Sequence, residues 1–324
     1  MRLRVYFIEC LRWKGITTNI FRSMLFSIIS LLVCLTAGYI CRRARILNDG
    51  AIAALTELLI KISLPCTIYT TMLRPFSMEL FTESILVLII YFIAHFWGML
   101  AGFLTAKLLR ASPGEKRVWI FAVAFANVGF MGYPVINSVL GEEAMIYASM
   151  ANISFNVLAY SIGPYMMESN RAHMRYGWRR IFLTPVMIAT VLGIVCFVTS
   201  IRPPDPITDG VRYIADMTTP VSMLLLGSIL AKSDIHGVFA GWKIYVVLFV
   251  RHFVIPLTML AILKPFIHNH MVLSVIVLLC AMPSASLTAI LAQKYNTDAD
   301  SASRLVFIST VASVFTVPVI TLFL

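Results

Sequence analysis

Charge is scarce in this chain. Asp, Glu, Lys and Arg make up 13% of its 324 residues, and only 15 of them are acidic. With 60% hydrophobic residues and a mean hydropathy of +0.88, too little polar side chain remains to clothe a soluble globule of this size. Paired cysteines are also missing. The six cysteines stand singly at 10, 34, 41, 66, 196 and 280 with no C-x-x-C pair, which argues against a disulfide framework and a zinc site. No H-E-x-x-H and no plausible Ser/His or paired-Asp set lies within the apolar runs, so an intramembrane hydrolase is disfavoured. Nor is there a G-x-x-x-x-G-K-[ST] loop, which disfavours ATP-driven transport by this chain alone. The net charge of +11 has no continuous basic face behind it, because the Lys and Arg residues are spread through short loops. That pattern points to membrane sidedness and not to a nucleic-acid partner.

What the chain does have is ten apolar runs of roughly 20 residues, the length at which a helix crosses about 30 Å of hydrocarbon. They lie near 21–41, 51–73, 84–109, 118–140, 144–167, 181–200, 211–231, 243–263, 271–293 and 302–323. The expected fold is an all-α integral membrane protein in a cell inner membrane, with the lipid bilayer as its solvent. Its first five helices occupy 21–167 and its second five 181–324. The connections are short and often closed by Pro or Gly, and the longest is Glu168 to Arg180, so no linker holds a soluble domain. Residues 1–20 are a basic, amphipathic extension, read as a short tail or a start placed upstream of Met24. Fifteen Lys and Arg fall in alternate loops on one side, against four on the other with the N-terminal tail left aside. Cytoplasmic loops carry that excess, which places both termini outside the cytoplasm. The five basic residues up to Arg22 pull the other way.

Two runs are interrupted in their middle. Ala126 to Pro134 reads A-N-V-G-F-M-G-Y-P, and Ala281 to Ser286 reads A-M-P-S-A-S. Gly129 and Gly132 weaken a helix, while Pro134 and Pro283 each remove a donor and press on the carbonyl four residues back, so both prolines are expected helix breaks. Irregular backbone at membrane depth survives only where protein buries it or where it lines a cavity. The halves also repeat. Pro65 and Pro220 are 155 residues apart, Glu57 and Lys61 fall opposite Arg212 and Asp216, Pro164 and Pro318 are 154 apart, and Asn127 to Gly132 falls on Ala281 to Ser286. With five spans per half, the second half enters from the opposite side. The expectation is an inverted repeat, with a transport site at the paired breaks.

The combination of N-V-G-F-M-G-Y-P in span 4, Leu64-Pro65 in span 2, Thr219-Pro220 and Leu226-Gly227 in span 7, Arg251-His252 with Pro256 in span 8, and M-P-S-A-S in span 9 resembles the auxin efflux carrier family. Its bacterial members include malate and malonate permeases. The resemblance implies a five-plus-five inverted repeat similar to the bile-acid sodium symporters. Helices 4 and 9 would cross in a core of 3–5 and 8–10, moving against a scaffold of 1, 2, 6 and 7 that also forms a homodimer. The extension at the N-terminus is unusual for the family, and the long cytoplasmic loop of the plant carriers is absent.

The N-terminal end of a half-helix carries about +0.5 charge and free N–H groups, which suits an anion. The candidate substrate residues are Asn127, Gly129, Phe130, Met131 and Gly132 at the first break and Ser284, Ala285 and Ser286 at the second. Close helix packing through Gly129 and Gly132 is the competing reading. Asn152 and Asn156 share a face of span 5. The resemblance implies that Asn156 faces the substrate, against an interhelical hydrogen bond as the alternative. Lys61 and Asp216, each four residues before a proline, are candidates for coupling to a proton or cation, against simple neutralisation within i,i+4 pairs. Arg251 is a candidate for substrate charge or for closing the core, and His95, in mid-span 3, is held in reserve. No cofactor is expected; H+ or Na+ is the candidate coupling ion and a small organic anion the candidate substrate. A membrane sensor or scaffold without transport is the alternative function.

Overall fold

The computed structural model describes residues 29–30, 33–168, 183–232 and 241–324. The N-terminal extension at 1–20, the start of the first span and most of the Glu168 to Arg180 loop with its four arginines lie outside the described residues. Within them every regular element is a helix. In chain order these are α1 (33–43), α2 (Asp49–Thr71), α3 (Met78–Leu108), α4 (Pro113–Ala124), α5 (Val128–Leu140), α6 (Met145–Met167), α7 (Pro185–Thr199), α8 (Asp205–Asp216), α9 (Thr218–Lys232), α10 (Trp242–Leu263), α11 (His270–Ala281), α12 (Leu287–Lys294) and α13 (Ala299–Thr321). By length and composition α2, α3, α10 and α13 can cross a membrane, and α5, α7 and α11 are shorter apolar helices.

Local chemistry sets the helix starts. The side chains of Asn48, Ser77, Ser112, Thr184, Asn269 and Asp298 accept hydrogen bonds from the first-turn N–H groups of α2, α3, α4, α7, α11 and α13. At α4 this is a full capping box with Glu115, and Pro113 takes a first-turn position where its missing N–H costs nothing. α3 shows its environment in one stripe: Ile85, Ile89, Ile93, Phe96, Leu100 and Leu104 are exposed at helical spacing, while Ala94, His95, Gly98 and Gly102 are buried. An apolar outer face over 31 residues, about 46 Å of helix, is what a tilted lipid-facing helix presents.

The prolines act differently from the sequence expectation. π turns occupy Leu59–Ser63, Val128–Gly132 and Val250–Val254, and Pro65, Pro134 and Pro256 each follow two residues later. In each case the N–H just before the proline bonds five residues back: Leu64 to Leu59 O, Tyr133 to Val128 O and Ile255 to Val250 O. The wider turn relieves the clash between the proline ring and the carbonyl four residues earlier. Pro134 is therefore not a helix break. The first interruption lies upstream at Phe125–Asn127, where the backbone becomes extended, while Pro283 does sit inside the second interruption. Pro220 behaves in a third way. The chain turns at Met217 and separates α8 from α9, so the span expected at 211–231 is two helices.

Close backbone approach explains several glycines. A Cβ on Gly227 would lie 1.8 Å from Leu35 O and one on Gly38 2.1 Å from Leu224 O, so α1 and α9 meet backbone to backbone. A Cβ on Gly98 would lie 2.7 Å from Ala124 Cα, which brings α3 against the end of α4.

Candidate functional site

The two interruptions meet. Ala126 and Ser284 form an antiparallel pair: Asn127 N–H donates to Pro283 O (2.8 Å) and Ala285 N–H donates to Phe125 O (2.9 Å). Each break thus satisfies backbone groups that the other's missing helix turn would leave unpaired. Asn127 faces Ser286, 159 residues on, with Nδ2 donating to Ser286 Oγ at 3.3 Å.

On one side of the crossing are the C-terminal ends of α4 and α11. Arg251, 2% exposed, serves both: Nη1 donates to Val123 O (3.1 Å), while Nη2 and Nε donate to Met282 O (2.9 and 3.2 Å). His95 Nδ1 donates to Ala124 O (2.9 Å), an assignment that follows because a carbonyl only accepts. The His95 ring is packed against Tyr91 and Phe125, and its Nε2 is buried without a partner.

On the other side start α5 and α12. Asn127 is the cap of α5: Oδ1 accepts from Phe130 N–H (3.2 Å), and its own carbonyl accepts from Met131 and Gly132. Ser284 N–H donates to Ser309 Oγ (2.9 Å), which His252 Nε2 also contacts at 2.9 Å; His252 Nδ1 lies 3.0 Å from Thr316 Oγ1. The backbone donors of Phe130, Met131, Gly132, Ser284 and Ala285 are thus satisfied within the protein in this state. The unsatisfied polar atoms are on side chains instead. Ser284 Oγ, Thr288 Oγ1 and Asn156 Nδ2 are buried without a hydrogen-bond partner, and such an atom costs about 1–3 kcal/mol unless something else binds it.

Of the glycines, Gly132 packs tightly, since a Cβ there would lie 2.8 Å from Leu279 Cδ2. Gly129 has ordinary room beside Leu64 of α2. Lys61 is not brought to the crossing. It is an exposed partner of Glu57 at 2.9 Å on α2. Asp216 instead lines a cavity of about 760 Å³ together with Thr71, Arg74, Tyr133, Asn137 and Arg212. This cavity is lined by α2, α5, α8 and α9 and opens beside the turns at 72–77 and 141–144. At its mouth Arg74 donates to Thr71 O (2.9 Å) and to Glu142 O, and partial burial pulls its pKa down against the opposing pull of Glu142 and Glu143. His252, Ser309 and Thr316 were not among the expected site residues. Only the Arg251-His252 dipeptide in an apolar run hinted at one of them.

Long apolar helices together with two interrupted ones paired at buried polar groups are the architecture of a multi-pass membrane protein, and the family and relatives that the chain matches are transporters. The chain belongs to the membrane transport protein family, whose profile matches residues 23–321 and which is the auxin efflux carrier family that the motifs resembled. It is 25% identical over 293 residues to an uncharacterized transporter of Methanothermobacter thermautotrophicus (90% of this chain, 95% of the relative). It is 24% identical over 296 residues to another from Methanocaldococcus jannaschii (90% and 95%). A protein of Rhizobium meliloti named "Putative malonate transporter" is 26% identical over 218 residues (65% of this chain, 68% of the relative).

Proposed function

We propose that this chain is a secondary active carrier of small organic anions, short dicarboxylates such as malonate or malate or weak acids of the indole-3-acetate kind, working by alternating access in a cell inner membrane. The observation that carries the reading is the reciprocal pairing of the two breaks, with Asn127 at its centre and unpaired Ser284 Oγ and Asn156 Nδ2 buried in the same core. Hydroxyl and amide donors beside two half-helix N-termini suit a carboxylate without a permanently unpaired cation. The name of the Rhizobium relative supports malonate as the first substrate to test.

The carrier works as a ten-helix inverted repeat. Ser63 and Thr218, 155 residues apart, share a 2.6 Å hydroxyl hydrogen bond, as repeat-equivalent residues do beside a pseudo-two-fold axis. Gly38 and Gly193, also 155 residues apart, each pack on the other half of the chain, Gly38 against Leu224 and Gly193 against Met72. The cavity between α5 and α2, α8 and α9 is the gap along which the core (helices 3–5 and 8–10) moves against the scaffold (1, 2, 6 and 7). The scaffold pairs two copies as a homodimer, with both termini outside the cytoplasm.

Uptake by purified protein in proteoliposomes tests this reading, with labelled malonate, malate and indole-3-acetate under imposed pH or sodium gradients. Saturable uptake of one of them is expected. Correctly inserted protein that moves none under any gradient would overturn the substrate class.

A further inference from the structure

The carbonyl side of the crossing carries information about coupling. The C-terminal end of a broken helix presents about −0.5 charge and carbonyls without intrahelical donors, which makes it a natural position for a coupling cation in a carrier. Here two such ends converge, and Val123 O, Met282 O and Ala124 O are the oxygens they offer. All three accept from side chains: Val123 O from Arg251 Nη1, Met282 O from Arg251 Nη2 and Nε, and Ala124 O from His95 Nδ1. The charge also closes. Two ends supply about one negative charge, and a single guanidinium supplies one positive. The described ion pairs, Arg42–Asp49, Glu57–Lys61 and Arg304–Asp300, do not include Arg251, so its counter-charges are helix ends and not carboxylates.

We propose that Arg251 is a tethered counter-cation standing where a coupling alkali cation would otherwise bind, so that anion transport proceeds without sodium at the crossing. The planar fork of the guanidinium suits the task. Nε and Nη2 grip one carbonyl while Nη1 reaches the other helix, which a lysine's single ammonium does less well. The assignment rests on the carrier reading above and narrows it. Sodium drops out as coupling ion at this position, leaving a proton gradient or the anion's own electrochemical gradient as the drive.

The test separates binding from transport. The melting temperature of the detergent-purified chain is followed while sodium chloride replaces choline chloride at constant ionic strength, and uptake is compared with the same replacement. Wild type is expected to show no saturable sodium shift and no sodium stimulation of uptake. Arg251→Ala is expected to melt lower by on the order of 5 °C or more. It should regain stability saturably with sodium or with guanidinium at concentrations far below denaturing ones, the free cation filling the vacated position. Arg251→Lys should recover at least half of the loss without added cation. A saturable sodium shift in wild type, a sodium gradient that accelerates uptake tenfold or more, or a folded Arg251→Ala protein indifferent to both cations would each overturn the proposal. If Arg251→Ala does not accumulate, the wild-type titration and Arg251→Lys decide. The melting measurements stand even if no carboxylate is transported, so failure of the carrier reading is distinguishable from failure of this one.

Discussion

The two sides of the crossing are built in opposite ways. On the carbonyl side the oxygens of Val123, Ala124 and Met282 are held by buried Arg251 and His95, donors that arrive from α10 and α3. On the amide side Asn127 turns its own polar groups on the start of α5, Ser309 receives Ser284 N–H, and the hydroxyls of Ser284 and Thr288 have no partner in the protein. The carbonyl side leaves the ring nitrogen His95 Nε2 without a partner, while the amide side leaves two hydroxyls, those of Ser284 and Thr288, without one. A buried polar group without a partner is costly, and the function proposed above places the ligand on the side with the unpaired hydroxyls.

The comparison can be broken at its closed side first. Arg251→Ala leaves two helix ends unpaired in the core and is expected to cost about 3–5 kcal/mol, the penalty for stripping one partner from a buried ionic network; thermal unfolding in detergent measures it. His95→Leu removes one hydrogen bond, to Ala124 O, and is expected to cost about 1–3 kcal/mol. Its effect should be non-additive with Arg251→Ala in a double-mutant cycle, because both side chains hold the end of α4. Asn127→Ala loses the cap of α5 and the link to Ser286, for about 1–2 kcal/mol of stability, and is expected to lower malonate uptake at least tenfold. The sharpest contrast is the smallest in stability. Ser284→Ala deletes an unpaired buried hydroxyl, so the melting temperature should stay level or rise while uptake falls. A drop in stability there would show that Oγ is already serving the fold.

Much of this was legible in the sequence, for identifiable reasons. Asn, Gly and Pro carry local backbone meaning, so Asn127, Pro283 and the serines after it marked the interruptions, and the spacing of Glu57 and Lys61 announced their pair. Pro134 was misread because a proline's clash has two remedies, a break or a wider turn, and the choice is made by packing. The partners of Arg251 lie 31 and 128 residues away and are backbone carbonyls, which have no sequence signature. For the same reason sequence spacing offered backbone donors at Phe130, Met131 and Gly132 to an anion, although Asn127 already occupies them. Ala126 faces Ser284 and Asn127 N–H bonds Pro283 O, long-range backbone pairs that no local sequence pattern announces.

The central claim is that the amide side of the crossing binds a small carboxylate. Equilibrium binding of labelled malonate to purified wild type, Asn127→Ala and Ser284→Ala, with melting temperatures measured on the same samples, tests it without requiring a transport cycle. The account predicts saturable binding by wild type that weakens at least tenfold in both variants, although Ser284→Ala is no less stable than wild type. Saturable binding that is equal in all three proteins would contradict it and move the substrate away from the crossing.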